Sequence, residues 1–166
     1  MKKNKFCNLI FICLARGIAG LINKDKIITN DFDTLPIGFK INLGTLPYGT
    51  YLGLIKTNSG FLIKKNGFAT ADLIVMFKNT KSAKKVMLAK KSIAQSFSEH
   101  SIIVGGDIAQ ALVLVRIINR VECYLFPRFM TKNILPKIKK ETCTLALYFT
   151  VLFKRFKYDE SLLQGE

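Results

Sequence analysis

Between residues 37 and 77 the apolar positions fall mostly at a spacing of two. Ile37, Phe39, Ile41 and Leu43 alternate with Gly38, Lys40 and Asn42, which predicts a half-buried strand. GTLPYGT (44–50) reads as a turn. Tyr51–Lys56 and Phe61–Lys65 then flank Thr57-Asn58-Ser59-Gly60, a hairpin signal. Asn66-Gly67 marks a further turn before the apolar run Leu73–Phe77, a fourth strand. Strands that follow one another without helices between them predict an antiparallel or mixed sheet rather than βαβ units.

After residue 78 the spacing becomes helical. Asn79 or Thr80 can cap a helix through Ala83, Val86, Met87 and Leu88. Ser92 and Gln95 fit a capping box and open a second short helix, with Ile93 and Phe97 four residues apart on one face. Residues 101–105 form a fifth strand. Gly105-Gly106 allows a tight turn with positive φ, and Asp107 is placed to cap a helix over 108–125. That helix has no clean polar face, because Gln110, Arg116, Asn119, Arg120 and Glu122 are scattered around it at 100° per residue. A helix apolar nearly all round must be covered on more than one side. The sheet is one cover. The other is the C-terminal segment, another subunit, a membrane or an apolar ligand. Pro127 ends the helix.

The flanks read differently. Residues 1–22 combine a basic start with an apolar run that is shorter than the roughly 20 residues a bilayer span needs. Arg16 sits where a signal cleavage region would be small and neutral. Phe6, Leu9, Ile10, Cys13, Gly17 and Leu21 lie near helical spacing, so an amphipathic helix packed on the domain is expected, with an anchor or signal as the alternative. Residues 23–36 are polar and turn-rich, a linker by composition. Residues 128–141 are basic, 142–157 predict a strongly apolar helix with a basic end, and the tail is polar. The organisation expected is therefore 1–36, an N-terminal helix and linker; 37–126, the main domain; and 127–166, a basic segment and C-terminal helix.

Composition narrows the chemistry. The chain has 166 residues, 49% of them hydrophobic, and a formal net charge of +15. Of 26 basic residues 21 are Lys and 5 Arg, whereas base readers rely on the bidentate Arg fork, so nucleic acid is disfavoured as a partner. An anionic membrane surface fits the charge better. Cys7, Cys13, Cys123 and Cys143 show no CxxC spacing and His100 is the single histidine, so no metal site is expected and reduced thiols in a cytoplasmic protein are. No GxGxxG, P-loop, GxSxG, HExxH or EF-hand pattern occurs. Asp31 and Asp33 lie in the turn-rich linker, and His100 has no Ser or Cys nucleophile at a recognisable spacing. No catalytic residue is assigned and no cofactor is expected.

The order of elements in 71–126 resembles the sterol carrier protein 2 (SCP2) family. The resemblance rests on Asp72-Leu-Ile-Val-Met-Phe77, Ala83, Ile93-Ala-Gln-Ser-Phe97, Ile102-Ile-Val-Gly-Gly-Asp107, Ala109, Ala111 and Leu114, with the strands of 37–65 as the family's opening strands. It covers about residues 37–126. The chain departs from the family at Glu99-His100, where a Gly-Lys pair is usual, and at Ala89-Lys90-Lys91, where Gly usually precedes the second helix. The resemblance implies an α+β fold with a five-stranded mixed or antiparallel sheet, helices on one face, and added N- and C-terminal helices. It also implies an apolar tunnel for a sterol-like or fatty-acyl lipid, held without catalysis. Phe77, Met87, Ile93, Phe97, Ile103, Leu112 and Val115 are the expected lining residues, although each could equally be ordinary core. The alternative is a peripheral membrane scaffold without a lipid cargo.

Overall fold

The computed structural model describes residues 5–135, 137–141 and 143–153. The expectations for residues 1–4, 154–157 and the polar tail lie outside the described residues. In chain order the elements are α1 (Lys5–Leu21), α2 (Lys26–Asp33), β1 (Lys40–Thr45), β2 (Gly49–Thr57), β3 (Gly60–Lys65), β4 (Leu73–Phe77), α3 (Thr80–Met87), α4 (Ile93–Ser98), β5 (Ile102–Gly105), α5 (Ile108–Leu125), α6 (Arg128–Thr131) and α7 (Thr144–Phe153).

The strands form one sheet in the order β3-β2-β1-β4-β5. β2 folds back on β1 and β3 on β2, both antiparallel. β4 then returns beside β1 in parallel, and β5 pairs antiparallel with β4. The sheet is therefore mixed, because the β2–β3 hairpin is completed before the chain re-crosses β1.

β1 begins three residues later than the alternation of 37–43 predicts, and Ile37 is exposed. Its interior also does not alternate: Ile41 and Leu43 are buried, and so are Asn42, Gly44 and Thr45. β1 is central and covered on both faces, which hides period two. On the face away from the helices, Asn42 Nδ2 donates to the Phe68 carbonyl and Asn42 Oδ1 accepts from the Phe68 N–H, both at 2.9 Å. Phe68 is thereby laid on Gly53, where a Cβ would stand 2.7 Å from the ring.

The helices cover the other face. α1 buries Cys7, Phe11, Leu14, Ala15, Ile18 and Leu21, with the Phe11 ring 5.5 Å from Tyr51 and 6.2 Å from Phe77. This face is rotated from the expected one, and Phe6 and Leu9 are exposed. α1 also approaches α5 closely: a Cβ on Gly17 would stand 2.8 Å from Val121 Cγ1. α7 lies against α1 and α5, with Leu147 and Val151 buried, Arg16 Nη1 donating to the Val151 carbonyl at 3.0 Å and Tyr148 Oη donating to the Leu125 carbonyl. No single described helix is long and apolar enough to cross a membrane.

The stretch 23–36 holds α2 where composition suggested only a linker. Asp25 caps it, its Oδ1 accepting from the Ile27 and Ile28 N–H groups at 3.1 and 3.2 Å. The same carboxylate accepts from Arg120 Nε and Tyr124 Oη, each at 2.7 Å. Tyr124 Oη in turn accepts from the Glu141 N–H at 2.7 Å. At the other end of α2, buried Lys56 donates through Nζ to the carbonyls of Phe32, at 2.8 Å, and Leu35. A cation there meets the negative end of the helix dipole. Asp31, an isolated carboxylate in sequence, forms a forked ion pair with Arg116 at 2.7 Å. Charged groups that looked like linker filling thus tie α2 to α5 and to the sheet.

Candidate apolar binding cavity

α5 packs on α1, α2 and α7, and a cavity of about 300 Å³ remains between its outer face and the β4–β5 end of the sheet. Three parts of the chain wall it. Leu43, Val75, Phe77, Ile102 and Val104 form the sheet side. Met87, Ile93, Ala94 and Phe97 come from α3 and α4, and Ile108, Ala111, Leu112, Leu114, Val115 and Ile118 from α5. The local sequence explains the shape. Asn79 caps α3 through the Ser82 N–H at 2.8 Å, and Ser92 caps α4 through the Gln95 N–H at 3.0 Å. Two short helices joined by a turn cannot cover the sheet as one long helix would, and α5 spans the gap.

Six of the expected lining residues stand around this space: Phe77, Met87, Ile93, Phe97, Leu112 and Val115. Ile103 does not and is corrected here. Val104 pairs with Val75 and Ile102 with Phe77, so these four share the cavity face, while Ile103 pairs with Met76 on the opposite face. A strand's period of two forbids Ile103 from joining its neighbours. Ile102 and Val104 take its place on the cavity face.

No ionisable side chain lines the cavity among the described residues. Its walls can exclude water and make dispersion contacts, and they carry nothing that could move a proton. Phe97, Ile108 and Leu112 are each more than half exposed, and because they also line the space they mark its mouth. Just past the cavity's lining on α5 stands Glu122, 2% exposed, whose pKa burial pushes up to about 8. Asp25 contrasts with it. Burial works to raise its pKa, but hydrogen bonds from Arg120, Tyr124 and the Ile28 N–H together outweigh that and hold the carboxyl below its ordinary value. A separate surface groove runs along α3, lined by Thr80, Lys81, Lys84, Lys85, Leu88 and Lys90.

A solved structure shares this fold. The solution structure of the sterol carrier protein domain 2 of Helicoverpa armigera matches with a TM-score of 0.51, at 12% identity, over 74% of this chain and 94% of that one. The fold is SCP2-like. A structure described as the UbiJ-SCP2 ubiquinone synthesis protein matches at 17% identity over 64% of this chain and 93% of that one, with a TM-score of 0.48. No protein-family model matches the sequence, and no curated protein matches it. Against the SCP2 pattern, the departure at Ala89-Lys90-Lys91 has a conformational counterpart. Ala89 and His100 both adopt positive φ, 50° and 53°, at the ends of α3 and α4. Glycine takes this conformation at least cost, and here a side chain is held in it.

Proposed function

We propose that this protein is a non-catalytic lipid carrier that holds a fatty-acyl or similarly slender apolar ligand in the cavity under α5. One observation carries the reading: a wholly apolar cavity of about 300 Å³ in an SCP2-like fold, opening through exposed Phe97, Ile108 and Leu112. Soluble domains do not leave three large apolar side chains at the mouth of an apolar cavity without cost, and a ligand chain removes that cost. Each methylene buried contributes about 0.8 kcal/mol, so a chain of about ten supplies on the order of 8 kcal/mol before the losses of binding are subtracted. The lysines of α3 would attract anionic headgroups by about 1 kcal/mol each near a surface, which favours loading at a cytoplasmic membrane face.

The test is native mass spectrometry of the full chain with saturated ligands of graded length, beside the variant Ala111→Trp. Ala111 is buried and lines the cavity, so an indole there fills it. Wild type should retain one ligand and the variant none. A wild-type protein that stays empty, with a melting temperature indifferent to every ligand, overturns the proposal. The lysine groove favours a second reading, a peripheral membrane protein without cargo. Under that reading, flotation on anionic vesicles would be unchanged in Ala111→Trp, and no lipid would leave the vesicles with the protein.

A further inference from the structure

The cavity face of α5 does not end where the cavity walls do. Ile108, Ala111, Leu112, Val115 and Ile118 form a stripe at helical spacing. At 100° per residue Glu122 falls on the centre line of that stripe, one turn and about 6 Å beyond Ile118, and Asn119 falls on its edge. The α3–α4 turn closes this end: Met87 lines the cavity, and Ala89, two residues on, packs against Cys123. Glu122 therefore stands past the cavity's lining, towards the end of α5 away from Ile108. Glu122 Oε1 and Asn119 Oδ1 are both buried without a hydrogen-bond partner among the described residues. Buried polar atoms are nearly always satisfied, and leaving two acceptors bare at the end of an apolar cavity is costly.

We propose that Glu122 and Asn119 form a polar anchor at the inner end of the cavity for a neutral lipid whose buried terminus carries a hydroxyl group. This deepens, and rests on, the lipid-carrier reading. A hydroxyl can donate to Asn119 Oδ1 or Glu122 Oε1. A protonated Glu122 can in turn donate to the ligand oxygen. Burial alone raises the Glu122 pKa, with no cation beside it, so the carboxyl is neutral at pH 7 and ready for that exchange. A fatty-acid carboxylate is a poor fit, because it would bring an uncompensated charge into the driest part of the cavity.

The probes are tetradecan-1-ol and its methyl ether, which match in chain length and in oxygen but differ in the donor. Their affinities for the full chain are measured at pH 6.5 or so by displacement of a fluorescent acyl probe. Wild type should bind the alcohol about tenfold more tightly, the ratio one satisfied buried hydrogen bond gives. Glu122→Met should lose most of that preference, and it should fold, since it replaces a buried carboxyl by an apolar chain of similar length. Glu122→Gln, which keeps an acceptor and a donor, should retain it. Equal affinities in wild type, as when Glu122 and Asn119 bond only to each other, overturn the anchor and leave the carrier standing. An unchanged preference in Glu122→Met does the same. If neither probe binds, both the carrier reading and the anchor fall.

Discussion

At the scale of single residues, two buried carboxyls pull stability in opposite directions with pH. Glu122 has its folded pKa raised to about 8 by burial, so folding favours its protonated form. Its contribution is fully present below the ordinary carboxylate pKa and is lost as pH rises through about 8, a change on the order of 4 kcal/mol. Glu122→Gln should therefore flatten the alkaline side of a stability–pH curve measured by urea unfolding, with little effect at pH 5. Asp25 is held low by Arg120, Tyr124 and the Ile28 N–H, so its contribution is present above the ordinary value and is lost as pH falls through the folded one. Asp25→Ala leaves Arg120 nearly buried without its carboxylate and should cost about 3 kcal/mol at pH 7. His100 tells a different kind of story. Its φ of 53° closes α4, with its N–H donating to the Phe97 carbonyl at 2.9 Å. His100→Gly should stabilise the protein by about 1 kcal/mol, read as a rise in urea midpoint at constant slope. In sequence, His100 was legible only as a surface or loop-end residue, and the structure places it just past the end of α4. Asp25 was not legible at all, because its four partners come from α2 itself and from a helix 95 residues away.

At the scale of elements, helix–helix distance is set by single small side chains. Gly17 lets α1 rest on Val121 and Leu125 of α5. Gly17→Val should push the two helices apart and destabilise the fold by about 2 kcal/mol or more, with loss of protection in α1 amides by hydrogen exchange. The buried face of α1 could not be chosen from its sequence. The helix is apolar nearly all round, so periodicity offers several faces and only packing against the sheet, α3, α5 and α7 selects one. Strands 73–77 and 102–105, the caps at Asn79, Ser92 and Asp107, and the span of α5 were all written locally. The start of β1 and its burial were not, because its pattern mixes the demands of two covered faces. Ile103 was misplaced for a simpler reason: an apolar run does not say which of its alternate residues faces the helices, and only pairing with Val75 and Phe77 does.

At the scale of the whole molecule, the fold spends its terminal helices on α5. α1, α2 and α7 take one side of it and leave the other over the cavity. A ligand that binds only the folded state stabilises it by about 2.7 kcal/mol at a hundred times its dissociation constant, which for a chain of this size raises the melting temperature by roughly 5 to 10 °C. That rise should appear in wild type with a long-chain ligand and vanish in Ala111→Trp, a comparison a thermal-shift series makes directly. What the sequence determined by itself is local: five strands and the helices between and after them, the caps that start those helices, and an α5 too apolar to be covered from one side. Those follow from the spacing of apolar residues and from side chains that bond their own backbone a few residues away. Which side of α5 is covered by protein and which is left open, that α2 exists and is tied down by Asp25, and that Glu122 is buried were decided only by tertiary structure. Each depends on groups far apart in the chain, and no local pattern records which of them will meet.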